Sequence, residues 1–228
     1  IHIHTLFALS RLSERRRELM RSLTLVPERS IPAWLFGKWM ELKNLNDVAL
    51  LTELGFVQRL PGRLLKLHPM IREVTVSELP PGIRECSTLL KSVQMEGLYH
   101  GLDQPYEPVT LQTIENLIQK TVKNDDAAYL RFLEDTFALA EKHEAKESMS
   151  LIISELTNLL RDPSVGKAED RAFLLDCRVA LETDLKKQIA LQKESVSLLP
   201  EINQGNALLV SNLHANLGGL YRLDGNYS

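Results

Sequence analysis

The sequence predicts a mainly α fold in two parts, a helical segment closed by one short β-hairpin and then a helical solenoid. Three observations carry this expectation. Apolar residues recur at helical spacing along most of the chain, and strand-like alternation is confined to residues 56–67. The later breaks are short and built from Gly, Pro, Asn and Asp.

Each element follows from local chemistry. Leu6, Phe7, Leu9 and Leu12 mark a short helix over residues 5–12. Ser13, with Glu14 and three arginines after it, opens a second helix whose apolar face is Leu19, Met20 and Leu23. Pro27 ends it. Ile31 and Pro32 begin a third helix holding Trp34, Leu35, Phe36, Trp39 and Met40. Asn46 is the expected N-cap of a fourth, with Val48, Leu50, Leu51 and Leu54 inside and Gly55 as its stop. Residues 56–60 and 63–67 read as two strands joined at Pro61-Gly62. Helices followed at once by a hairpin wing are the winged-helix order.

The hairpin runs into His68-Pro69, and a new amphipathic helix starts there. Proline sets φ near the helical value at a first helical position and has no N–H to leave unpaired. His68 is therefore expected at a strand-to-helix joint, beside the free N–H groups and positive end of a helix. An imidazole in that place can donate a hydrogen bond to a phosphate held by another domain.

Pro80-Pro81-Gly82 is the first clear punctuation, so a winged-helix domain is expected over 1–79 and a helical domain over 83–228. Helices are expected over 83–100, 109–123, 126–143, 147–161, 168–182, 184–199 and 206–223. Short breaks between helices of similar length are the mark of a solenoid of helix pairs. A repeat motif is legible only at the end. Asn216-Leu-Gly-Gly-Leu-Tyr221 and the turn Asp224-Gly-Asn-Tyr227 have the spacing of a tetratricopeptide first helix. Asn212, Ala215, Gly219 and Arg222 then fall on the face that lines the groove of such an array. Asn212 and Arg222 are the candidate partner-binding residues, suited to the backbone or carboxylate of a peptide. The beginning Ile1-His-Ile-His4 and the ending Gly225-Asn-Tyr-Ser228 both read as cuts in a longer polypeptide.

Composition narrows the function classes. The chain has 228 residues, 44% of them hydrophobic and 6% aromatic, which suits helix-on-helix packing. A net charge of −3 gives no electrostatic reason for nucleic acid or an acidic membrane as main partner. No apolar run approaches the ~20 residues that span a bilayer. Cys86 and Cys177 each sit in an apolar helical pattern, as buried reduced thiols of a cytoplasmic protein would.

Several segments together carry a family resemblance: Leu9-Ser-Arg-Leu-Ser13, Arg17-Glu-Leu-Met20, Ile31 to Phe36, Glu53-Leu-Gly-Phe-Val57 and Leu67-His-Pro-Met-Ile71. They resemble the winged-helix segment of STAND-class, NB-ARC-like signalling ATPases. In that family a nucleotide-binding domain precedes this segment and a repeat array, often tetratricopeptide, follows it. The resemblance implies that His68 contacts the terminal phosphate of bound ADP and holds the protein closed. It also implies an upstream nucleotide-binding domain of the same polypeptide as partner, with ADP or ATP as its cofactor. The sequence departs from the family at one point. No Gly-x-x-x-x-Gly-Lys-Ser/Thr loop occurs, so no cofactor and no hydrolysis are expected of this chain itself.

Competing readings attach to the same residues. His68 as a sensor competes with His68 as a hydrogen-bonding residue of the strand–helix corner. Arg11, Arg15, Arg16, Arg17 and Arg21 form a basic cluster that could grip DNA phosphates, which would make the chain a transcriptional regulator. Glu14 and Glu18 interleave with it, and the apolar helix near 31–41 fits a protein interior better than a DNA groove. A third reading is a plain helical scaffold. Trp34, Phe36 and Trp39 could make an exposed aromatic anchor for a partner, against which core packing is the default expectation. His2 and His4 alternate as metal ligands would, but no carboxylate, thiol or third histidine lies nearby. The run Glu141 to Glu147 reads as a solvated helix end.

Overall fold

A computed structural model describes residues 8–97, 107–202 and 207–225, and it is mainly helical with one small sheet. Two units emerge, residues 1–129 and 130–228.

In the first unit, helix α1 (Glu14–Leu25) begins at Ser13, whose side chain accepts a hydrogen bond from the Arg16 N–H. Its inner face is Leu19, Met20 and Leu23, with Leu25 also buried. Strand β1 (Ile31–Pro32) leads directly into α2 (Ala33–Trp39), which buries Leu35, Phe36 and Trp39. The sequence expectation of a helix from Ile31 is corrected here: Ile31 and Pro32 pair antiparallel with Leu65 and Leu64. Trp34 is also corrected, because it is 50% exposed while Phe36 and Trp39 are fully buried.

Helix α3 (Asn46–Glu53) starts one residue earlier than expected, since Leu45 is its N-cap and Asn46 its first helical residue. The Asn44 side chain accepts from the Asn46 N–H at 3.0 Å and fills the capping role from outside. Gly55 ends α3 with φ of 75°. Its N–H donates to Thr52 and that of Phe56 to Leu51, the paired bonds of a Schellman motif. Strands β2 (Val57–Leu60) and β3 (Leu64–Leu67) pair in register Val57↔Leu67 to Leu60↔Leu64, giving the sheet order β1-β3-β2. Val57, Leu65 and Leu67 point to the core, whereas Gln58 and Arg59 face out. Helix α4 (Pro69–Glu78) follows the hairpin with Ile71, Val74 and Thr75 inside.

The first unit runs past the expected boundary at Pro80-Pro81-Gly82. Gly82 forms a parallel bridge with Val122: the Val122 N–H donates to the Pro81 carbonyl at 2.8 Å and the Ile83 N–H to Val122 at 3.2 Å. Helices α5 (Ser87–Met95) and α6 (Glu107–Lys120) pack on α2 and α1. Buried Leu89, Leu90, Val93, Ile114, Leu117 and Ile118 thus belong to the same unit as α1. The proline pair is a turn inside this unit.

The second unit takes most of α7 (Asp126–Lys142) and then α8 (Lys146–Leu159), α9 (Ala168–Leu181), α10 (Leu185–Ser197) and α11 (Ala207–Leu223). Neighbours in sequence pack on one another from α8 to α11. Phe137 and Phe173 meet edge to face at 6.0 Å between α7 and α9. Ala168, Ala172, Ile202 and Leu213 form a common core for α9, α10 and α11. Two buried polar bonds cross it, Ser195 Oγ to the Ala172 carbonyl and Gln192 Nε2 to that of Leu213. The Glu141–Glu147 run is exposed at most of its positions and forms the end of α7 and the start of α8. Among the described residues no helix is long and apolar enough to cross a membrane. The turn residues Asn226 and Tyr227, and His2 and His4, lie outside the described residues.

Candidate functional site

The joint between β3 and α4 places His68. Its backbone is extended, with φ of −60° and ψ of 135°, and Pro69 occupies the first helical position. The His68 N–H donates to the Phe56 carbonyl at 3.5 Å, continuing the hairpin, and its own carbonyl accepts from the Arg72 N–H at 2.9 Å. One residue thus closes a sheet and opens a helix. The imidazole makes no capping hydrogen bond to the helix it precedes, and the residue is half-buried.

The surface beside His68 is open and partly apolar. Pro69, Met70, Glu73, Val76 and Ser77 are exposed along α4, with Met70 41% and Val76 45% exposed. The opposite face of α4 is anchored by Arg72, which was not singled out from sequence. Its guanidinium donates to the Thr24 carbonyl at 2.5 Å and to that of Val26 at 3.4 Å, the free carbonyls at the C-terminal end of α1. Burial lowers the Arg72 pKa, opposed by the charge of Glu28. The available signal was spacing alone: Arg72 stands one turn after His68 in the same helix.

Four of the five arginines of the basic cluster form ion pairs within the fold. Arg15 pairs with Glu18 at 2.6 Å and also donates to the Met40 carbonyl. Arg16 pairs with Asp47 at 2.8 Å, and Arg17 and Arg21 both pair with Glu14. The hydrogen bond from Arg21 and the charges of Arg21 and Arg17 hold the Glu14 carboxyl below its usual range. Helix α3, which follows α2 and precedes the hairpin, carries Asp47 and Glu53 and no basic residue. Helix α3 thus offers phosphates no cation, and each arginine of α1 is tied to a carboxylate.

Cys86 and Cys177 are 0% and 1% exposed. Burial pushes the Cys86 thiol up to about 12 and raises that of Cys177 as well. Neither is poised as a nucleophile. No group of three or more potential metal-ligating side chains occurs among the described residues.

On α11, Asn212, Ala215 and Arg222 are exposed and Gly219 half-buried, so the four share an open face. Asn212 and Arg222 stand on the same helix and far from His68 in sequence. The buried side of α11 is anchored by Leu213, and Leu208 and Leu223 are each 74% exposed. An added Cβ at Gly218 or Gly219 would meet no described atom within 4 Å. Comparison of the chain with protein-family models, with curated proteins and with solved structures finds no match.

Proposed function

We propose that this chain is the non-catalytic regulatory and protein-interaction portion of a nucleotide-switched signalling ATPase of the STAND class. Its first part acts as a winged helix that reads nucleotide state, and its later helices act as a tetratricopeptide-like array that binds a protein or peptide. The observation that carries the reading is the His68 imidazole, half-open at the start of α4 and not consumed by capping that helix. The element order α1-β1-α2-α3-β2-β3 with sheet order β1-β3-β2 supports the winged-helix part. The open face of α11 with Asn212 and Arg222 supports the array.

In this reading ADP sits in an upstream nucleotide-binding domain, and His68 donates a hydrogen bond to its terminal phosphate. That bond favours the closed arrangement, because it forms in one of two domain positions only. The exposed Met70 and Val76 beside it supply apolar contact for the docked domain. Asn212 and Arg222 take the backbone or carboxylate of the partner. A cytoplasmic setting goes with this role. The paired arginines of α1 argue against the DNA-binding alternative.

The test is His68→Ala in the polypeptide that includes the nucleotide-binding domain. Faster ADP release and higher basal activity are expected. An unchanged ADP release rate would refute the sensor role.

A further inference from the structure

A cleft of about 700 Å³ opens in the first unit between the loop that follows α1 and one face of α6. Glu28, Arg29 and Ser30 line the loop side, and Gln112, Asn116 and Lys120 line the helix side. The last three recur every fourth residue, so α6 presents them as one row. The volume lies in the range of small-ligand sites, ~300–1,000 Å³.

Two groups in it have no partner among the described residues. Asn116 is 5% exposed, and no hydrogen bond ties its side-chain amide to a described residue. The amide lines the cleft, where it is placed to meet an entering ligand. Arg29 is exposed at the rim and forms no ion pair with a described residue. Lys120 stands 3.7 Å from Glu28, close enough for charge attraction but beyond hydrogen-bond reach. Two cations against one carboxylate leave an excess of one positive charge.

The geometry points to a binding site for a ligand that carries a single carboxylate next to an amide, as at the carboxyl end of a peptide or in an N-acyl amino acid. Arg29 takes the carboxylate as a two-pronged donor, with Lys120 behind it. Asn116 both donates to and accepts from the ligand amide, since its side chain offers both functions. Gln112, whose Nε2 donates to Glu115 at 3.4 Å, stands one turn away with its carbonyl oxygen for a second amide. The excess of one charge suits a carboxylate better than a phosphate dianion. This site is independent of His68 and of the nucleotide reading.

Calorimetric titration of the 228-residue chain with an N-acetylated alanine tripeptide tests it, alongside the same tripeptide as its carboxamide, N-acetylalanine and inorganic phosphate. The free-acid tripeptide should bind, with the carboxamide about tenfold weaker or worse. Arg29→Ala should remove the preference for acid over carboxamide, and Asn116→Ala should weaken the acid about tenfold. Tripeptide binding well above that of acetylalanine identifies a peptide end, and equal binding identifies a small acyl amino acid. Both results support the site. It is overturned if neither acid binds, if acid and carboxamide bind alike, if phosphate matches the acids, or if both variants bind as the parent does.

Discussion

The Arg72 guanidinium donates to the Thr24 carbonyl at 2.5 Å, so the helix that begins at His68 is fastened to the end of α1. Thr24 lies in the last turn of α1, where carbonyls have no helical N–H to meet. A cation in that place satisfies them and opposes the negative end of the helix dipole.

Arg72→Ala should therefore lower stability by about 2–3 kcal/mol, the range for charged hydrogen bonds lost from a buried setting. Arg72→Lys should recover only part, because a single ammonium lacks the fork that reaches both Thr24 and Val26. Urea midpoints of the three proteins give the measurement. Equal midpoints would show that α4 is held by Ile71 and Val74 alone.

Three helices end alike but with different residues. Gly55 closes α3, whereas Glu41 closes α2 and Glu144 closes α7, with φ of 75°, 51° and 51°. In each, two N–H groups bond back to the last turn: Glu41 to Lys38 with Leu42 to Gly37, and Glu144 to Glu141 with Ala145 to Ala140. A left-handed residue with a Cβ costs roughly 1–2 kcal/mol, an advantage for glycine partly offset by the greater chain entropy that glycine loses on folding. Glu144→Gly is expected to raise stability by about 0.5–1 kcal/mol, and Gly55→Ala to lower it by about 1 kcal/mol. Thermal melts check both. A falling melting temperature for Glu144→Gly would contradict the account.

These ends show what was legible in sequence. Gly55 announces its turn by identity, but nothing in Glu41 or Glu144 does, because the φ there goes with the bonds that Leu42 and Ala145 make back to the preceding turn. Strand β1 escaped notice for a similar reason. Pro32 is a good helix opener, and its pairing with Leu64 depends on a hairpin more than thirty residues away. The Pro80-Pro81-Gly82 turn looked like a boundary, yet Val122 binds it from the far side of α5 and α6. Local chemistry marked His68-Pro69 well. Arg29 and Asn116, which meet across a cleft, carry no signal in their neighbours in sequence.

Glu134 of α7 gives the protein a pH dependence in its second unit. Burial, then the charge of Asp170 and a hydrogen bond with it, push the Glu134 carboxyl up to about 7. Asp170 is itself engaged, accepting from the Lys167 N–H at 2.5 Å at the start of α9. Asp135 adds to the rise and Arg131 opposes it. The folded state thus holds a proton that the unfolded chain releases near its ordinary value of 4.5. Stability should fall as pH rises from about 4.5 to about 7 and stay reduced above that. Glu134→Gln should be more stable than the parent by roughly 1–3 kcal/mol at pH 8, with the difference vanishing near pH 4. Urea titrations at the two pH values decide it. A constant difference would mean that the carboxyl does not titrate in this range.

The two thiols should behave as core atoms. At pH 8 a thiol-specific reagent should label neither Cys86 nor Cys177 in the folded chain, and should label both in denaturant. Fast labelling of either under native conditions would show that its helix opens locally.

His68 and Arg72 share a helix turn but should respond differently to truncation. Arg72 is spent on α1, so its loss weakens the fold whether or not another domain is present. The His68 side chain caps nothing, and Pro69 already satisfies the first helical position without an N–H. Removing the imidazole from this chain alone should change stability by less than about 0.5 kcal/mol, as for a surface substitution. A purely structural corner residue would instead cost about 1 kcal/mol or more on truncation. The urea midpoint of His68→Ala therefore separates the two roles before any nucleotide is added. A large loss assigns the ring to the corner between β3 and α4, and a negligible one leaves it available for a partner outside this unit.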